Sequence, residues 1–227
     1  MAAAIGRCLM ETLSIRRRKS NRVSPSNARR ALLDWWKSTD CASLVRPWLK
    51  ARDLWHLLLG TVLFDRAHER IVRDFWPTFA QRWPTPRAFL SDRRRDAAVR
   101  VLDRLDAGKK LEELARSLTD KKSPADAVGK IEGISPERIR LCNTLAGKNL
   151  SCDPTTPAVR VAARILGQQI PTSRTDGQLV LVQIVGASQS SLAYAALLEI
   201  AEQFCKPTDP ACTACPIRKW CRTGLAG

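Results

Sequence analysis

The residues best equipped for chemistry crowd into the tail. Cys205, Cys212, Cys215 and Cys221 are separated by six, two and five residues, in a turn-rich stretch that also holds Pro207, Pro210 and Pro216. Thiolates ligate soft metals, and four of them close together can surround one tetrahedral zinc or one [4Fe–4S] cube. Zinc ribbons usually place two short-spaced pairs far apart, whereas here a single Cys-x2-Cys pair has an outlying thiolate on each side. That spacing points to the cube, with a structural zinc as the alternative. A disulfide knot belongs to small secreted chains, and nothing else in the sequence has that character. Cys8, Cys41, Cys142 and Cys152 are scattered and are expected to be reduced thiols of an intracellular protein.

A second stretch carries a different chemistry. Residues 127–139, Ala-Val-Gly-Lys-Ile-Glu-Gly-Ile-Ser-Pro-Glu-Arg-Ile, read as a helix end, a Gly-containing turn and a new helix, with Ser135 as N-cap and Pro136 in the first helical position. Such a turn aims backbone N–H groups at an anion and suits one phosphate of a DNA strand without reading its base. The charge agrees: 38 Lys plus Arg against 22 Asp plus Glu leave a formal +16, the footprint of a polyanion binder.

Taken together, the C-x6-C-x2-C-x5-C tail and the hairpin upstream of it resemble the cluster loop and Leu-Pro-Gly-Val-Gly hairpin of the helix-hairpin-helix superfamily of DNA glycosylases, which includes endonuclease III and the adenine DNA glycosylases. The resemblance implies an all-α, two-lobed fold closed by a C-terminal [4Fe–4S] loop held by Cys205, Cys212, Cys215 and Cys221. It implies duplex DNA with a damaged or mismatched base as partner, and contacts from Arg66, Gly133, Ser135, Arg138, Arg218, Lys219 and Arg222. The expected protein is a monomer that does not engage a membrane.

The same resemblance shows departures where catalysis is expected. Bifunctional relatives place a Schiff-base Lys two residues after the second hairpin Gly; that position is Glu137, and the second Gly is itself Ser135. The essential Asp of a Val-Asp-Thr-x-x-x-Arg-Val pattern aligns with Thr155 in residues 154–161, leaving Asp153, two residues earlier, as the candidate catalytic carboxylate. The second-helix Glu of adenine glycosylases falls on Thr61, and the DNA-wedging glutamine falls on Asp65 and Arg66. A hydroxyl cannot supply the negative charge that stabilises an oxocarbenium-like sugar or activates water. The expectation is a DNA-binding iron–sulfur protein acting as a monofunctional N-glycosylase. The alternatives are a catalytically silent DNA-binding or lesion-sensing relative and a zinc-stapled nucleic-acid module.

These groups need elements to position them. Residues 1–30 carry eight Lys and Arg against Glu11 and read as a disordered basic arm, with the Arg-rich, acid-poor look of a targeting segment as the other reading. A protein without that targeting role is expected in a bacterial cytoplasm or nucleoid, and one with it in an organelle or nucleus. Residues 31–204 form the helical domain and residues 205–221 the cluster loop. A first helix is expected from Ala31 through Trp35 and Trp36. Residues 53–64 are apolar nearly all round and predict a buried central helix. Amphipathic helices are expected over 71–79 despite Pro77, around Phe89 and Val99, around Leu111 and Leu118, after Val159, and over 194–204 leading to Cys205. Residues 179–185 are a short apolar run of either type. His56 and His68 lack a nearby carboxylate pattern and are expected to be packing or surface residues.

Overall fold

The computed structural model describes residues 23–64, 67–100, 107–120, 134–148, 151–188 and 190–226, and every regular element among them is helical. The α-helices are α1 (Pro25–Ser38), α2 (Leu54–Phe64), α3 (Glu69–Arg82), α4 (Pro86–Ser91), α5 (Arg95–Arg100), α6 (Ala107–Thr119), α7 (Pro136–Leu145), α8 (Thr156–Leu166), α9 (Arg174–Val185), α10 (Ser191–Gln203) and α11 (Arg222–Ala226). Two groups pack separately. Helix α2 collects α3, α6 and α7, while α4 and α5 cover α6; α1 returns from the N-terminus to join α8, α9, α10 and α11. The groups meet where α7 contacts both α2 and α10.

Helix α1 starts at Pro25, six residues before the expected start and inside the stretch assigned to a disordered arm. The reason is a stripe that begins before the aromatic cluster: Ala28, Leu32 and Trp36 recur every four residues and are all buried. Ser24 and Pro25 supply the start signal of a Pro at N1. Arg29, read as a free basic residue, instead donates from Nε to the Ile184 carbonyl at 2.6 Å, satisfying the end of α9 where Gly186 turns at φ 88°.

Helix α2 is buried on most sides, as its all-round apolar sequence demands. Gly60 is there because of Trp48: a Cβ at residue 60 lies 2.2 Å from Trp48 Cγ, so the indole lies directly on the helix backbone. Trp48 in turn stacks on Phe64 with ring centroids 5.8 Å apart. Pro77 is accommodated inside α3, whose aromatic face runs Phe75, Phe79, Trp83 in stacked pairs. Trp83 is fully buried, and its indole donates to Asp92, which also receives Arg82 Nε at 2.6 Å. Those two donors, Arg82 first, hold the Asp92 carboxyl far below the usual carboxylate range. The ambiguous run 179–185 is the second half of helix α9. His56 pairs with Asp53 at 2.8 Å, and His68 caps α3 by accepting from the Arg70 amide.

Substituting Gly60→Ala forces the new methyl into Trp48 and is expected to cost about 1–3 kcal/mol. Urea titration measures this as a lower unfolding midpoint at constant slope; an unchanged midpoint contradicts the close approach of Trp48 to α2. The Asp92 lock makes a pH statement of definite sign: its depressed folded pKa contributes stability that is present above the unfolded carboxylate pKa of about 3.9 and is lost as pH falls towards the folded value. Asp92→Asn is therefore expected to lose stability at neutral pH and to flatten the acid limb of the stability curve.

Candidate cysteine centre and nucleic-acid interface

Helix α10 delivers the first cysteine. Its last turn closes when the Cys205 amide bonds the Ile200 carbonyl at 2.8 Å, and the chain then reverses through Asp209, the one non-glycine residue at positive φ (46°) among those described. Short 3₁₀ turns at Cys212–Ala214 and Arg218–Trp220 bring the remaining thiols back. All four, Cys205, Cys212, Cys215 and Cys221, line one cavity whose apolar wall is Val161, Ile165, Ile200, Phe204 and Ile217. None is in a disulfide.

The surroundings suit an anionic centre. Arg164 donates from Nη1 to Cys205 Sγ at 3.3 Å, and the Gly224 amide points to Cys221 Sγ at 3.4 Å. Arg160, one turn before Arg164, is 9% exposed and donates only to the Cys205 and Ala201 carbonyls. Among the described residues no carboxylate pairs with this guanidinium, whose burial is costly, and thiolate charge beside it would offset that cost. Burial pushes the Cys215 thiol up to about 11 and the Cys221 thiol upward as well. Among the described residues no three His, Cys, Asp or Glu side chains converge tightly enough to share a single ion.

Ser135 caps α7 as its type and position suggest, accepting from the Arg138 amide at 3.4 Å, with Pro136 opening the helix. Gly133, with the rest of the hairpin turn, and Arg66 lie outside the described residues. Arg138 lies at the start of α7 and lines a pocket of about 190 Å³ together with Arg46, Trp48, Leu57, Thr61 and Cys142. Thr61, in the position expected of a glutamate, donates to its own helix at the Leu57 carbonyl and lies 3.6 Å from Cys142 Sγ. The described lining of this pocket contains no acid. Lys219 and Arg222 are exposed beside the cysteine loop, whereas Arg218 donates to the Gly224 carbonyl and braces that loop.

Glu137 is exposed in the first turn of α7. Its own amide, the Ser135 hydroxyl and Arg140 hold its carboxyl below the usual range. Arg140 is also 3.8 Å from Asp153, and Arg174 bonds the other Asp153 oxygen. Asp153 is 7% exposed, and its carbonyl accepts from the buried Tyr194 hydroxyl at 2.6 Å. Thr155, in the position expected of the aspartate, lies 3.4 Å from the same hydroxyl. Asp153 therefore ties α7, α9 and α10 together. Sequence reasoning singled out neither Arg140, Arg174 nor Tyr194. Nothing in their local sequence distinguishes them from surface cations and a core aromatic.

The helical order and the two packed groups give the chain the fold of solved DNA glycosylases. The chain is similar to a thermostable thymine-DNA glycosylase at 17% identity and TM-score 0.61, covering 90% of this chain and 98% of that one. It is also similar to endonuclease III trapped in a covalent intermediate with DNA (17% identity, TM-score 0.57) and in a non-covalent DNA complex (18%, TM-score 0.58), each covering 88% of this chain and 95% of the other. No protein-family model matches the sequence.

Burial pushes the Cys142 and Cys152 thiols up to about 12. At pH 8 only about one such thiol in ten thousand is ionised. Iodoacetamide at pH 8 is accordingly expected to label exposed Cys41 in the folded protein and to reach Cys142 and Cys152 only after denaturation, as read by peptide mass spectrometry.

Proposed function

We propose that this chain is a DNA-binding iron–sulfur protein of the base-excision-repair type, with Cys205, Cys212, Cys215 and Cys221 holding a [4Fe–4S] cluster. The observation that carries the reading is that these four cysteines line one cavity at the end of a glycosylase fold. The cluster supplies a structural staple: four protein thiolates leave no open coordination site for substrate. The capped start of α7, Arg138, Lys219 and Arg222 supply phosphate contacts, and the formal +16 supplies long-range attraction. Arg66 and Gly133 complete this proposed interface.

The proposed activity is monofunctional hydrolysis of a base–sugar bond. Glu137 cannot form an imine with a sugar aldehyde, so Schiff-base strand cleavage of the family type is not expected at this position. Asp153 is the carboxylate proposed to stabilise the cationic sugar. Its partner Arg174 has a side chain that is 65% exposed, so a DNA phosphate can draw that cation away and return negative charge to the carboxylate. A second reading, a silent sensor of damaged or mismatched duplexes, is favoured by the acid-free pocket and by the two guanidiniums around Asp153.

Protein purified without oxygen is expected to be brown and to hold roughly four iron atoms per chain; stoichiometric zinc without iron overturns the cluster. Duplex affinity should fall by roughly 0.9 log units per phosphate contact for each tenfold rise in salt, and Arg138→Glu should weaken binding to all sequences alike.

Single-turnover assays on uracil, thymine-glycol, G·T and oxidised-guanine duplexes separate the two catalytic readings. Excision that is lost in Asp153→Asn while binding persists supports hydrolysis at Asp153. Binding without excision in the wild type supports the sensor. Borohydride is expected to trap no covalent adduct at residue 137 in either protein.

A further inference from the structure

The buried acid Glu199 has no part in either the cysteine cavity or the Asp153 network, yet it is fully enclosed in α10 at 0% exposure. Its Oε1 accepts from the Val45 backbone amide at 2.5 Å and from Gln203 Nε2 at 2.7 Å. Two neighbours on the same helix grip the same loop. Gln203 Nε2 also donates to the Ser43 carbonyl at 3.0 Å, and Glu202 pairs with Arg46 at 2.7 Å. Three side chains from the last turns of α10 thus hold the backbone and one side chain of residues 43–46.

That loop leads directly into the pocket. Arg46, Trp48 and Leu49 form one of its walls, opposite Thr61, Arg138 and Cys142. In the other direction the same turns of α10 end at Cys205, whose amide bonds Ile200 and whose carbonyl receives buried Arg160. The distance along the helix from Glu199 to Cys205 is under two turns. A disturbance that frays this end removes the Glu202 and Gln203 grips first and then the Glu199 acceptor. No other charged side chain holds Val45: its amide is tied to α10 by Glu199 alone among the described residues.

We infer that Glu199 is a positioning residue for the Arg46 wall of the pocket, and that the last turns of α10 couple the state of the cysteine loop to that wall. The coupling is a linkage between two sites and is therefore reciprocal: loosening the cysteine loop frees residues 43–46, and loosening that clamp hastens loss of the bound metal. The inference rests on the metal-centre reading above but needs neither iron in particular nor DNA.

Amide hydrogen exchange on the full chain tests it, with metal content measured first so that a metal-free protein counts against the metal-centre reading alone. Chelation of the metal, or Cys212→Ser, is expected to speed exchange at the Val45 amide about tenfold or more, while the α2 amides at 57–59 stay protected. Glu199→Leu should do the same and shorten metal retention under chelator challenge. Glu199→Gln, which keeps an acceptor oxygen for Val45, should stay within a fewfold of wild type on both readouts. A purely structural Glu199 predicts instead that exchange rises everywhere together.

Val45 protection unchanged after Cys212→Ser, with the cysteine loop itself loosened, overturns the coupling. If Glu199→Leu or chelation unfolds α2 as well, the surface variant Gln203→Ala decides: faster metal loss and faster Val45 exchange support the clamp, and neither change overturns it.

Discussion

The fold depends on hiding one helix. From Ala193 to Ala201 every residue of α10 is buried, so this segment has no solvent face and must be covered on all sides. Helices α1, α7, α8 and α9 do that, which is why the N-terminal helix leaves its sequence neighbours to pack with the C-terminal group. Apolar burial is non-directional, and its strength follows area. The specific geometry comes from the polar groups this helix carries inward. Tyr194 finds the Asp153 carbonyl and Glu199 finds the Val45 amide, because a buried polar group without a partner costs free energy that packing alone does not return.

The same helix makes the cysteine loop and the pocket parts of one structure. Four cysteines in a turn-rich tail come to one cavity only if the first is anchored, and the anchor is the end of a helix that cannot move without exposing its apolar surface. Arg160 and Arg164 on α8 complete the arrangement by presenting donors to the Cys205 end of the loop. The positive charge there faces inward, towards thiolates, whereas Lys219 and Arg222 on the outside of the same loop face solvent. One short segment thus separates the cations turned towards the cysteines from those turned towards solvent.

Electrostatics also distinguish this chain's cleft from a site with a free carboxylate. Glu137, Arg140, Asp153 and Arg174 alternate in sign across α7, the loop before α8 and the start of α9. Alternation lowers the field that any one of them projects. An exposed Arg174 is the weakest member, since a solvated ion pair contributes little.

What the sequence determined by itself was local or compositional. The cysteine spacing groups four thiols, and the structure brings them to one cavity; Ser135 and Pro136 start a helix, and the nearly all-apolar run of 54–64 makes a buried one. Each of these signals is written within a turn or two of chain, where spacing and capping act directly. The start of α1 escaped because its first buried residue is Ala28, too small to stand out from the basic residues around it.

Tertiary structure alone decided the rest. Arg29 caps a helix 155 residues away, Val45 meets Glu199 across 154, and Asp153 is enclosed by a cation 21 residues downstream. An arginine or a glutamate has the same local preferences whether it faces water or a buried carbonyl. Its role is set by which helices the burial of α10 brings beside it, and that is a property of the packed chain rather than of any stretch of it.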